Sequence, residues 1–388
     1  MKKLYLIISI ILTSVVFAGM YCTDIINNAN AQDTVTVTNV GELTSALEQA
    51  NVTGDFMILL ENGIYSLNDM LWVSGNNITF RSLAGNRDNV VIQGEGMQGG
   101  VSHIFNVAGD NFTVADMTIG WVANHAIQIQ GNVDADYPHI RNVRFVDTGE
   151  QMLKVSYEEG NSNSSNGGIV EGCLFEYSAG VGPQYYIGGI DAHQSHNWVV
   201  RYNVFKDISS PDGDLAEHAV HFWSGSSSTL VEKNIIVRCD RGIGFGLGDR
   251  GHQGGTIRNN MVYTTRDVGI GLENASNVGV YNNTVYTVNY MNSIEYRFSG
   301  TQGVLIINNL TNEGITSRDS GSGTVDTNVT SARETWFVNR SSGDLHLAGE
   351  EPAVVDQGQV LPDVPDDIDG ETRPQGNGYE IGADEVSE

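Results

Sequence analysis

The chain has 388 residues, with 47 acidic against 20 basic side chains and a formal charge of −27. Such a surface repels nucleic acid and anionic membranes, so neither is expected as a partner. It also repels an anionic polysaccharide unless cations or salt screen the approach.

Residues 1–31 read as an export signal: Lys2 and Lys3 precede an apolar run from Leu4 to Gly19, and Ala29-Asn30-Ala31 offers a cleavage site. Removing Lys2, Lys3 and Asp24 makes the mature charge about −28, and a secreted or periplasmic protein is expected. No later segment approaches the roughly 18 apolar residues of a membrane span. Cys22 leaves with the signal, and Cys173 and Cys239 fall at different places on the chain's repeating coil, so no disulfide is expected. From Asn39 to Ala50 the pattern predicts one short helix, with Asn39 and Glu42 as a capping box and Leu43, Ala46, Leu47 and Ala50 as its apolar face. This helix is expected to cover the open end of a stack of coils, the first of which, from Phe56 to about Gln98, are less regular.

From there a ladder of equivalent positions recurs: Met117, Val143, Cys173, Asn203, Asn234, Asn260, Asn283 and Asn309, with gaps of 26, 30, 30, 31, 26, 23 and 26 residues. Each sits between two short runs rich in β-branched residues, without a helical period between them. That pattern predicts an all-β fold, a parallel β-solenoid in which Asn takes the tight bend and bonds the amides above and below. The solenoid domain is expected over residues 32–312, with residues 313–388 as an irregular C-terminal cap of the same domain, since too few residues remain for an independent core. A monomer is expected.

Each coil carries a second alignable strand ahead of the ladder, with inward residues Ile127, Leu153, Ile190, Val220, Ile243, Ile270 and Ile294. Alternation then gives two outward columns. The first reads Asn106, Gln128, Lys154, Asp191, His221, Gly244, Gly271, Glu295; the second reads Gln130, Ser156, His193, Trp223, Gly246, Glu273, Arg297. An idle strand face carries Thr, Ser, Val and scattered charges, whereas lysine, aspartate, two histidines and tryptophan fall here on three consecutive coils. At about 4.8 Å per coil, Lys154, Asp191 and His221 span about 10 Å, the length of two sugar rings. The bordering loops are the longest in the chain, Tyr157 to Gly168, Ser178 to Gly188, Ser209 to His218 and Gly248 to Gly255, and they wall a groove. Plainer readings exist for each residue, such as Lys154 merely pairing with Asp191, Trp223 packing under a loop, or Glu217 and His218 ending one. Their coincidence on one patch favours a site. The glycines of Gly242-Ile243-Gly244-Phe245-Gly246-Leu247-Gly248 occupy outward slots and lack a following helix, so they are expected to open room for a ligand.

The region from Val35 to about Asn312 resembles the right-handed parallel β-helix carbohydrate-active proteins. Glu150-Gln151-Met152-Leu153-Lys154-Val155-Ser156, with the opening from Val35 to Tyr65, is similar to the family of alginate lyases and chondroitinase B. Asp191-Ala192-His193-Gln194 resembles the Asp-Pro-His-Asp motif of mannuronan C5-epimerases. The first resemblance implies Lys154 as base and Glu150 as a calcium ligand, although Asp191 and His193 stand where that family has arginine. Both imply proton abstraction at C5 of a uronic acid.

The residues themselves distribute the roles differently. An aspartate stacked on Lys154 suits the ammonium to neutralising a carboxylate, and a histidine suits proton transfer near neutrality. Lys154 is therefore expected as neutraliser or base, His193 and His221 as proton-transfer groups, and Asp191 as their orienting partner or a cation ligand. Gln128, Gln130, Gln151, Tyr186, His218, Trp223 and Arg241 are expected to bind substrate, Trp223 by stacking on a sugar face. The function read from this pattern is a secreted polysaccharide lyase acting on a uronic-acid polymer by β-elimination, calcium being the one cofactor considered. A C5-epimerase and a non-catalytic carbohydrate-binding solenoid are the alternatives. Hydrolysis needs two carboxylates about 5 to 9.5 Å apart, and the outward acids Asp191 and Glu273 stand three coils, about 14 Å, apart; a hydrolase must use Asp191 with loop acids Asp214 or Glu217.

Overall fold

The computed structural model describes residues 32–386; the expected export signal, its cleavage site and Cys22 lie outside them. The helix forms over Val40–Thr53 and buries Leu43, Ala46, Leu47 and Ala50, the face expected. Asn39 accepts from the Glu42 N–H at 3.0 Å. The return bond of the capping box goes one residue earlier, from the Thr38 N–H to Glu42 at 2.7 Å.

The body is a parallel β-helix of about 11 turns. A twenty-stranded sheet comprises two files of parallel strands, and a ten-stranded sheet forms a further face of the coil. Among the described residues no helix is long and apolar enough to cross a membrane. Apolar side chains stack in files through the interior, as in the rings of Phe145, Phe175 and Phe205 at 4.3 and 4.6 Å between centroids.

The ladder forms as the sequence predicts, and its hydrogen bonds explain why asparagine suits it. Asn234 Oδ1 accepts from the backbone N–H and the side-chain Nδ2 of Asn203, each at 3.0 Å. Its own Nδ2 donates to Val200 O at 2.9 Å and to Asn260 Oδ1 at 3.0 Å. Asn260, Asn283 and Asn309 repeat the arrangement. One amide thus satisfies backbone groups on two coils in an interior closed to bulk solvent. Cys173 fills the same slot with sulfur, 3.5 Å from the Val143 nitrogen, and both described cysteines are free.

Two expectations need adjusting. The tight bend belongs to the residue before each ladder position: Tyr202, Lys233, Asn259, Asn282 and Asn308 have φ between 48° and 60°. The ladder also continues to Asn328, whose Oδ1 accepts from the Asn309 N–H at 2.8 Å. The strand Gly323–Asp326 pairs in parallel with Val304–Ile307, so regular coils extend past residue 312.

The C-terminal segment packs along the flank of the helix. Its carbonyls and carboxylates fasten to the side chains of those bend residues: Asp366 to Lys233 at 2.7 Å and to Asn259 at 2.8 Å, Glu380 to Asn282 at 3.0 Å, and Gln359 to Asn308 at 2.8 Å. Phe337, Leu345, Val354, Ile368 and Ile381 form a second small core against Met261 and Leu310.

Asn234→Ala leaves the Asn203 N–H and several neighbouring groups buried without partners, at about 1–3 kcal/mol each. Chemical denaturation is expected to show a loss of at least about 3 kcal/mol; a loss below about 1 kcal/mol would mean that the ladder contributes little.

Candidate active site

The ten-stranded sheet aligns the outward residues as the columns predict. Gln128 pairs with Lys154, Lys154 with Asp191, Asp191 with His221, His221 with Gly244 and Gly244 with Gly271, while His193 pairs with Trp223. Lys154 comes from Leu153–Val155, Asp191 and His193 from Ile190–His193, and His218, His221 and Trp223 from His218–Trp223.

Lys154 Nζ is bonded to Asp191 Oδ2 and lies 3.0 Å from His193 Nε2. The other Asp191 oxygen accepts from Trp223 Nε1 at 2.6 Å. His193 Nδ1 meets Ser224 Oγ at 2.9 Å. An ammonium can only donate, so His193 Nε2 carries the lone pair and Nδ1 the hydrogen. Burial works against charge on Asp191, but Lys154, His193 and His221 outweigh it and hold the carboxyl down at about 2. Burial pushes His193 down to about 3 against the pull of Asp191, so its ring is neutral.

Around this network lies an open cavity of about 430 Å³, lined by Lys154, Ser156, Tyr157, Tyr186, Asp191, His193, Glu217, Trp223 and Arg250. A smaller one of about 90 Å³ continues over the next coils, lined among others by His218, Arg241, Glu273 and Arg297. Tyr186 is 39% exposed at the larger cavity. The phenol of Tyr157 stacks on His193 at 4.5 Å. Arg250 NH1 donates to Tyr157 Oη at 3.0 Å, and its guanidinium lies 4.1 Å above the Trp223 ring.

Lys154, Asp191, His193, Trp223 and Tyr186 thus meet at one cavity, with His218 and Arg241 at its neighbour. Other expected contacts with a substrate are not available. His221 is 1% exposed, stacked beneath Trp223 at 5.0 Å, and cannot touch a substrate there. Trp223 is 9% exposed and covered by His221 and Arg250, so it holds Asp191 and offers no open face to a sugar. Gln151 is 0% exposed, with its side-chain amide turned inside and unpartnered, which removes it from the groove. Gln128 bonds to His103 at 2.8 Å and Gln130 to Asn106 at 2.6 Å, both on coils before the cavity. Glu150 pairs with His125 at 3.3 Å. Among the described residues, neither group of three potential metal ligands, Glu217–His218–His221 and His346–Asp369–Asp384, includes Glu150 or Asp191. The room over Gly244 is already filled, since a Cβ there would lie 2.8 Å from the His218 ring.

Sequence reasoning missed Tyr157 and Arg250. Tyr157 directly follows Ser156 of the second column, a signal that was present. Arg250 sits in the Gly248–Gly255 loop, where strand alternation carries no information about direction.

No family model matches the chain, and no curated protein matches it either. Solved structures do. Pectate lyase Pel9A superposes with a TM-score of 0.60 at 16% identity, over 87% of this chain and 90% of that one. The mannuronan C-5 epimerase AlgE6 A-module of Azotobacter vinelandii gives 0.48 at 12% identity, over 75% and 92%. The alginate lyase from Paenibacillus sp. str. FPU-7 gives 0.46 at 16% identity, over 67% and 95%. At such identities the likeness is one of fold: this chain shares the parallel β-helix of polysaccharide lyases.

Proposed function

We propose that the protein is an exported polysaccharide lyase that cleaves a uronic-acid-containing polymer by β-elimination in the Lys154 cavity. The observation that carries this reading is a free guanidinium beside a held ammonium. Of the cations lining the two cavities, Lys154 pairs with Asp191, Arg241 with Asp267 and Arg297 with Glu273, whereas Arg250 rests on Trp223 and Tyr157 with no carboxylate partner among the described residues. A substrate carboxylate supplies that partner.

In β-elimination the C5 proton leaves, a double bond forms between C4 and C5, and the C4–O bond breaks, with charge building on the C6 carboxylate. Arg250 and Lys154 neutralise that charge. Lys154 keeps its bond to Asp191 while the N–H that faced His193 turns to the carboxylate, which frees the His193 Nε2 lone pair and balances the charge that opposed protonation of the ring. His193 then takes the C5 proton. Tyr157, whose phenol oxygen already accepts from Arg250, donates its proton to the departing O4. Asp191, itself held by the Trp223 N–H, anchors the ammonium, and Ser224 fixes the imidazole tautomer.

Calcium does not suit these side chains as they stand. It takes about six to eight oxygen ligands, while both Asp191 oxygens are bonded to Lys154 and Trp223 and Glu150 faces His125. Side chains alone carry each step of the elimination.

Incubation with a panel of polyuronates is expected to produce near-ultraviolet absorbance from the new double bond. His193→Ala is expected to lower kcat/KM by about 10²–10⁴, and the exposed Arg250→Ala by about 10²–10³. Proton exchange at C5 without absorbance would replace the lyase with an epimerase. Absence of both on every polymer would sink the catalytic reading.

The neutral histidines also set an acid limit on stability. Burial holds His125, His193 and His252 each at about 3, against about 6.5 in the unfolded chain. Between those values the unfolded state binds the protons and the native state does not, so stability present above pH 6.5 is lost as pH falls toward 3, at up to about 1.4 kcal/mol per pH unit for each ring. The melting temperature is expected to fall steadily from pH 6.5 to 4.5; a flat profile would show that these rings charge freely in the fold.

A further inference from the structure

Beneath the groove, between its two cavities, stands a cluster that the lyase chemistry does not use. Glu217, His218 and His221 each present a potential ligand atom, and these atoms lie within 4.8 Å of one another. Glu217 Oε2, His218 Nδ1 and His221 Nδ1 are all buried without a hydrogen-bond partner. Three such side chains gathered in one place are costly, because each has a buried polar atom that forgoes its bond to water. A shared cation compensates all three.

We infer that Glu217, His218 and His221 form a binding site for a borderline transition-metal ion of the zinc class. Two imidazoles and one carboxylate, with a further position open, are the ligand set of open tetrahedral zinc sites. His221 Nε2 lies 3.2 Å from Gly246 O; a carbonyl can only accept, so Nε2 carries the hydrogen and the unpartnered Nδ1 the lone pair. A backbone carbonyl holding the far nitrogen is the arrangement that orients metal-bound imidazoles. His218 is placed by the glycine column: its ring lies over Gly244, where any Cβ would approach within 2.8 Å, and it reaches Gly271 on the coil beyond. The nearest competing cation, Arg241 NH1, stays 3.8 Å from Glu217 Oε2 and is bonded instead to Asp267 through Nε.

Glu217 lines the larger cavity and His218 the smaller one. A metal held by both faces the groove two coils beyond Lys154, and its open position takes water or a sugar oxygen further along a bound polymer. The site stands whatever reaction Lys154 supports. The other three-ligand group differs in kind: His346 already has both nitrogens engaged, by Asp344 at 2.6 Å and Asp369 at 3.0 Å.

The test is titration of chelator-treated mature protein with Co²⁺, followed by the visible absorption of low-coordinate cobalt, and then displacement by Zn²⁺ and by Ca²⁺. The expected result is one Co²⁺ per chain, displaced by Zn²⁺ but not by Ca²⁺, retained in His346→Ala and weakened at least about tenfold in Glu217→Gln and His221→Ala. Circular dichroism establishes that each variant is folded. Glu217→Gln keeps the side chain's size and serves if His221→Ala does not fold. No cobalt spectrum from the folded wild type, binding that survives Glu217→Gln unchanged, or binding lost in His346→Ala would each overturn the assignment.

Discussion

The strand-borne side chains of the groove are placed by hydrogen bonds between successive coils, and the asparagine ladder holds those coils in step. A parallel strand that slipped by one residue would turn each outward side chain inward. Asn203, Asn234, Asn260 and Asn283 oppose such a slip because each amide bonds the backbone of its neighbouring coils. Displacement by one residue would strand several buried groups together. The bends just before them add a second restraint, since the side chains projecting there are tied to the C-terminal segment along the flank. Lys154, Asp191 and His221 therefore stand in line for a reason that lies elsewhere on the coil.

On that frame the protein buries charge where an idle sheet would not. Asp191 is nearly inaccessible yet ionised, held by Lys154 on one oxygen and an indole N–H on the other. A buried pair of this kind is poor evidence for stability, because desolvation offsets most of the attraction. Its evident result is geometric: the ammonium is fixed at the floor of a cavity, beside a histidine whose tautomer is settled by Ser224. Such preorganisation is what stabilisation of a developing charge requires.

Much of this was legible in the sequence because a solenoid converts spacing into position. The ladder, the capping helix and both outward columns follow from period and alternation. What alternation does not give is what lies over a side chain. Trp223 points outward as expected and is then roofed by Arg250 from a loop. Gly244 leaves room as expected, and His218 from the preceding coil fills it. Gln151 precedes the strand Leu153–Val155, where alternation does not apply, and turns inside. Parity fixes the side of the sheet, while depth is decided by neighbours from other coils and loops, which no local pattern records.

The overall charge poses a question that the same geometry answers. A chain at −27 should hold off a polyanion, yet exposed charges more than about 8 Å away are largely screened at physiological ionic strength. Within that distance the proposed substrate would meet Lys154 and Arg250 in a partly enclosed cavity, where screening is weaker and attraction stronger. Asp191 and Glu217 share the cavity, but Asp191 is already committed to Lys154 and Trp223, and Glu217 belongs to the cluster with His218 and His221. On the proposed reading the acidic surface slows the approach of a polyuronate without governing its affinity, which rests on Arg250, the guanidinium lining these cavities that has no carboxylate partner among the described residues.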